Sequence, residues 1–245
     1  LSVSDHTILG CEALARWKHP QRGMISPKEF IPIAEEAGLI TKLDMWVLRH
    51  ACQQTREWQK TIPGASDFQI SVNFSGKHFT DADLVEQIKL VLQEADLAPK
   101  YLNLEITENV VMENYALAVD LLGELQALGV QIQVDDFGVG YSSLGYLSRF
   151  PLNALKIDQS FVSSMQQDST SMKIIQAIVS MTHNLGMKVI AEGVETPAQF
   201  KHLEALGCEF VQGYLVAMPL SSQQMFDLLQ RAFANPSEVV KEKEQ

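Results

Sequence analysis

The chain has 245 residues, 46% of them hydrophobic and 20% charged, and its 30 acidic and 19 basic side chains leave a net charge of −11. That length suits one large core or two small ones, and the acidic balance argues against nucleic-acid polymers as partners, since their backbones are gripped by clustered Lys and Arg. No stretch approaches the ~20 apolar residues of a membrane span, so no direct membrane contact is expected, while Cys11, Cys52 and Cys208 are odd in number without a CxxC spacing, which points to a reducing, cytoplasmic setting.

The first predicted strand is 8–16 (ILGCEALAR). Ser26-Pro27 with Glu29 then combines a capping box with proline at the first helical position. A strand at 68–74 (FQISVNF) precedes a helix at 84–95, where Leu84, Val85, Ile88, Val91, Leu92 and Ala95 share one face. Further strands are predicted at 101–107, 130–135, 154–158, 187–192 and 209–214. They are apolar without strict alternation, as strands buried on both faces read. Thr196-Pro197 and Ser221 with Gln224 repeat the helix-start signal. The stretches ALGV (127–130), NLGM (184–187) and ALGC (205–208) each place glycine where a helix ends and a strand begins.

Repeated helix–Leu–Gly–strand junctions indicate βα units with right-handed crossovers and a parallel sheet. Residues 1–234 read as one domain, and the polar stretch 235–245 is expected to be a disordered tail. Leu1 rather than Met opens the chain, as expected of a module cut from a longer protein. Seven strands suggest an α/β (β/α)₈ barrel short of one strand at its N-terminus. The rival is an open doubly wound sheet, disfavoured because no glycine-rich phosphate turn follows the first strand.

Every predicted strand carries a polar residue near its C-terminal end: Glu12, Asn73, Glu105, Asp135 beside Asp136, Lys156, Glu192 and Gln212. Taken singly, each has a plain explanation as a helix cap, a turn former or a solvated rim residue. Taken together, in a parallel barrel they meet in one mouth, where active sites sit. Five carboxylates gathered there would raise one another's pKa values. Oxygen-only donors select hard ions such as Mg²⁺ or Mn²⁺. Two such ions suit in-line displacement at phosphorus, with Asp135 bridging them and Asp136 swinging round where the strand breaks into a loop. Lys156 would address the attacking water or a phosphate oxygen. Arg16, by strand parity with Glu12, would reach a phosphate. Metal-assisted phosphodiester hydrolysis is the chemistry expected, and proton abstraction beside an enolate is another that these residues allow.

The segment EALARW (12–17) resembles the signature of the EAL-domain family of cyclic di-GMP phosphodiesterases. PKEFIPIAEEAGLI (27–40), SVNFS (71–75), LEITEN (104–109), DDFGVGYSSLGYL (135–147), LKIDQSFV (155–162), VIAEGVET (189–196) and GCEFVQGY (207–214) resemble family segments in family order. The resemblance implies a modified TIM-like barrel that hydrolyses cyclic di-GMP to linear pGpG with Mg²⁺ or Mn²⁺. It makes Glu12, Asn73, Glu105 and Asp135 ligands of a first ion, and Asp135 and Asp136 ligands of a second. Lys156 and Glu192 become the catalytic pair, supported by Gln212. Arg16, Asp158, Glu195 and Tyr214 become substrate contacts, with Glu108 anchoring the loop 136–143. It also implies a homodimer and a larger signalling protein around the domain. The chain departs from the family pattern at Ala15, Val139 and Ala217-Met218, and it lacks the family's first strand. A receptor that binds cyclic di-GMP without cleaving it is the alternative, and receptors typically lose acids that this chain retains.

Overall fold

A computed structural model describes residues 1–113, 115–139, 147 and 149–234, without the side chains of 111–113, 115 and 116. The predicted tail 235–245 and residues 140–143 of the anchored loop lie outside the described residues. Strand β1 (Gly10–Ala13) is followed by a two-stranded antiparallel hairpin, β2 (Trp17–His19) and β3 (Gly23–Ile25). Helices α1 (Pro27–Glu36) and α2 (Ile40–Thr61) lead to β4 (Gln69–Asn73). The chain then runs through α3 (Leu84–Ala95), β5 (Leu102–Thr107), α4 (Glu108–Glu113), α5 (Tyr115–Leu128) and β6 (Gln131–Phe137). It continues with β7 (Ala154–Ile157), α6 (Gln159–Ser164), α7 (Ser169–Asn184), β8 (Lys188–Ala191), α8 (Pro197–Ala205), β9 (Phe210–Val211) and α9 (Ser222–Ala234).

The start and stop signals operate much as read. Thr196 and Gln199 form a reciprocal capping box, and Pro197 opens α8. Ser221 and Gln224 exchange bonds at the start of α9 in the same way. Ser26 caps α1, but Glu29 pairs with Arg22. Gly129, Gly186 and Gly207 all take positive φ at the helix ends, a conformation that side chains with a Cβ resist.

Seven strands, all parallel, stand in the sheet in their chain order, β1-β4-β5-β6-β7-β8-β9. A doubly wound sheet would reverse direction at a switch point, so this order decides for the curled, barrel-like arrangement. The strands are buried on both faces as expected, yet they alternate. Ile70, Val72, Leu102, Leu104, Ile106, Ile132, Val134, Leu155 and Ile157 belong to the large apolar core shared with the helices. Between them, buried Asn103, Glu105, Gln133, Asp135 and Lys156 line the opposite, inner face. The expectation of continuous apolar strands is thereby corrected: the jacket is oily and the barrel lining is polar.

The seam where an eighth strand was expected is bridged by residues 1–3. Ser2 pairs antiparallel with Phe210. Val3 N–H donates to the Glu209 carbonyl, Val211 N–H donates to that of Leu1, and Ser2 N–H reaches Thr7, just ahead of β1. Among the described residues, no helix is long and apolar enough to cross a membrane.

Candidate active site

Because the strands are parallel, their C-terminal ends open on one rim, and the sheet register sets the polar residues side by side. Glu12 lies on β1, Asn73 ends β4, Glu105 lies on β5, Asp135 on β6 and Lys156 on β7. Glu192 and Gln212 each follow directly on a strand. Their backbones extend the ladder, Glu192 N–H donating to Ile157 and Gln212 N–H to Ala191. Gly213 lets the next turn fold back closely, since a Cβ there would sit 2.3 Å from the Val194 backbone.

The side chains meet as the sequence suggested. Lys156 Nζ lies 2.7 Å from Glu105 Oε2 and 2.7 Å from Glu192 Oε1. It is 3.3 Å from Asp135 Oδ1 and 3.6 Å from Glu12 Oε2. Gln212 Nε2 donates to Glu12 Oε2 at 2.7 Å across 200 residues of sequence, and Asn73 Nδ2 donates to the other oxygen of Glu12. One ammonium therefore sits amid carboxylates from four other strands or strand ends.

The charges do not balance. Lys156 is only 1% exposed. Burial would pull its pKa down, but Glu105, Glu12, Glu192 and Asp135 outweigh that and hold the ammonium well above the usual lysine range. Burial pushes Glu105 up to about 8 and Glu192 up to about 7, against the opposing pull of Lys156. Asp136 is also raised, by burial first and then by Asp135 and Asp158. Raised carboxylates around a single cation mark a site short of positive charge.

The paired aspartates resolve in an unexpected way. Strand β6 does not break into a loop at Asp135 but continues to Phe137 through a β-bulge. Val134 pairs with Leu155 and Phe137 with Ile157, so β6 uses one residue more than its neighbour. Asp136 takes a left-handed φ of +54° and donates its N–H to Asp135 Oδ1. The bulge, which re-aims side chains, brings both acids to one side. Oxygens of Asp135, Asp136 and Glu192 all lie within 4.8 Å of one another. This donor set of carboxylate oxygens fits a hard divalent cation, and the excess of negative charge gives it a reason to bind.

The remaining predicted residues are distributed round this cluster. Glu108, buried at the start of α4, accepts from Gly138 N–H and so holds the first turn after the bulge. Asp158 caps α6 through Ser160 and faces Asp136. Glu195 and Tyr214 are exposed on the turns after β8 and β9. Arg16 does not share strand parity with Glu12, because β1 ends at Ala13. Its guanidinium is exposed and donates to the Ala15 carbonyl, outside the carboxylate cluster. Sequence reasoning missed the hairpin β2–β3 beside Arg16, where Gly23 (φ +73°) after Pro20 was the available signal, and the proximity of Asp158 to Asp136.

The profile of the family described as "EAL domain" matches residues 1–219. The bifunctional diguanylate cyclase/cyclic di-GMP phosphodiesterase MucR of Pseudomonas aeruginosa is 44% identical over 218 residues, 89% of this chain and 32% of that protein. The cyclic di-GMP phosphodiesterase NbdA of the same organism is 44% identical over 220 residues, 90% of this chain and 28% of that one. This chain thus spans about a third of the length of those curated relatives. The solved structure of the PaMucR phosphodiesterase in complex with c-di-GMP superposes with a TM-score of 0.83 at 44% identity, covering 87% of this chain and 86% of that one.

Proposed function

The chain belongs to the EAL-domain family, and from that premise we propose that it hydrolyses cyclic di-GMP to linear pGpG with the help of Mg²⁺ or Mn²⁺, two ions in the working state. The observation that carries this reading is the convergence of Glu12, Glu105, Asp135 and Glu192 on Lys156 at the C-terminal rim. Names borne by relatives support the choice of substrate, since MucR and NbdA are described as acting on cyclic di-GMP.

In this reading Glu12, Asn73, Glu105 and Asp135 hold one ion, and Asp135 and Asp136 hold another. When bound, such ions supply an acidified water and offset charge on the phosphoryl oxygens. The chain's own groups do the rest. Glu192, 2.7 Å from Lys156 and beside the aspartate pair, serves as the general base. It takes a proton from the attacking water, whose oxygen bonds to phosphorus as the P–O3′ bond breaks; the leaving 3′ oxygen takes a proton from solvent water, and Glu192 returns its own to solvent. Lys156, freed from part of its carboxylate company, presents its ammonium to the attacking oxygen or to a non-bridging phosphoryl oxygen. Gln212 keeps Glu12 in place. Arg16, Asp158, Glu195 and Tyr214 contact the nucleotide, and Glu108 keeps the turn at Gly138 in position. Beyond the site, the proposal includes a homodimer and a place as one module of a larger signalling protein.

Incubation with cyclic di-GMP and Mg²⁺, followed by chromatography, tests the proposal through the appearance of pGpG. Tight binding with no pGpG at saturating metal would instead favour the receptor reading.

A further inference from the structure

Behind Asn73 lies a buried hydrogen-bonded pair for which the hydrolytic scheme has no use. Asp44, on α2, and His78, in the short 3₁₀ turn Gly76–Thr80 after β4, are 8% and 1% exposed. His78 Nε2 lies 3.2 Å from Asp44 Oδ2. A carboxylate only accepts, so the imidazole donates from Nε2. The same Asp44 oxygen accepts Ser75 N–H at 3.0 Å. The His78 ring stacks on Phe74 with centroids 4.0 Å apart, and Phe74 N–H donates to the Glu105 carbonyl. On the other side, a Cβ at Gly76 would lie 2.7 Å from Val110 of α4, so the turn is packed against that helix without slack.

A buried carboxylate is costly unless it is paired and hydrogen-bonded. What this one secures is the backbone of residues 74–75, immediately after Asn73. Among residues 73–75, then, one N–H is tied to β5 and the next to Asp44.

We propose that His78 is a positioning residue: by holding Asp44 under Ser75 it fixes the exit of β4 so that Asn73 meets the incoming divalent cation. The inference rests on the reading of Asn73 as a metal ligand. It differs from a purely structural role in where the damage should appear, because groups that orient metal ligands typically influence affinity by 10- to 100-fold.

The test is a titration of the purified chain with Mn²⁺, free ion being followed by electron paramagnetic resonance, together with thermal melts of the metal-free protein. His78→Leu removes the donor, whereas His78→Gln places an amide N–H within reach of Asp44. The expected result is Mn²⁺ affinity lowered by about 10-fold in His78→Leu and restored to within about twofold in His78→Gln, even if both variants melt lower than the wild type. Wild-type affinity in His78→Leu, with Asn73→Ala weakened, overturns the inference and leaves the metal site standing. Wild-type affinity in Asn73→Ala overturns the metal assignment and the inference with it. Should His78→Leu fail to fold, Asp44→Ala decides, because it removes the one oxygen on which both donors converge. Unchanged affinity there overturns the inference, and weakened affinity supports it.

Discussion

The two ends of the barrel handle charge in opposite ways. At the N-terminal end, Arg56 and Lys60 both reach Asp96 at 2.8 and 3.1 Å, in solvent, with cations in local excess. At the C-terminal end, one buried ammonium faces carboxylates from four other strands or strand ends. Exposed pairs of the first kind are screened and contribute little. A buried cluster of the second kind is costly on its own, because desolvation exceeds what one cation returns. A hollow of about 590 Å³ lies at the first end, lined by Arg56, Gln59, Lys89 and Tyr101 among others. The cations that line it are already engaged, Arg56 with Asp96 and Lys89 with Glu86. The hollow at one end thus gathers paired charge, whereas the rim at the other gathers charge that is left uncompensated.

Substitutions that disturb this contrast should have graded effects. Asp135→Asn is expected to do most, lowering pGpG formation below about a thousandth of wild type and weakening metal binding together, beyond the ~10²–10³ cost of losing one electrostatic contact. Turnover retained in that variant would refute the bridging role. Lys156→Ala should slow turnover by about 10²–10³ while divalent binding persists in calorimetry. The same change should lower the metal-free stability by about 3–5 kcal/mol, because it strands buried carboxylates, and Mg²⁺ should recover much of that loss in a denaturant melt.

The pH dependence is subtler. The raised values of Glu105 and Glu192, about 8 and about 7 against an ordinary 4.5, mean that the fold holds protons the unfolded chain releases. Their contribution to metal-free stability is full below pH 4.5 and is lost as pH climbs through 7 and 8. A divalent ion competes with those protons. Mg²⁺ should therefore raise the melting temperature more at about pH 8.5 than at about pH 6, and an equal shift at both would contradict the protonated cluster. Smallest of all, Arg56→Gln at the opposite end should move the melting temperature by no more than about 3 °C and leave pGpG formation unchanged.

Much of the barrel was legible because the sequence repeats one unit. Leu-Gly junctions mark helix ends, a short apolar strand follows, and a polar residue closes each strand, from Glu12 to Gln212. Chain order in space then follows from right-handed crossovers. What was not legible depends on backbone detail. Nothing in QVDDFG declares that Asp136 adopts φ +54° and keeps β6 paired to Phe137, although Asp is among the few residues that tolerate that region. The reach of Arg16 was misjudged because β1 was taken to run on to residue 16, whereas it ends at Ala13. Polar alternation was overlooked because Asn103, Gln133 and Lys156 occupy positions that in an oily barrel would carry Val or Ile. Their burial is visible only when the ring is assembled.

The seam closed by residues 1–3 makes the rim mechanically addressable. Leu1, Ser2 and Val3 are tied to residues 209–211 by backbone bonds, Val3 is buried in the same apolar core as Val211, and the next residue, Gln212, grips Glu12. Sliding or peeling that short thread would draw Val3 from the oily jacket, slacken β9 and loosen Glu12 one bond later. A force applied at one edge of the molecule would thus be felt at a single carboxylate.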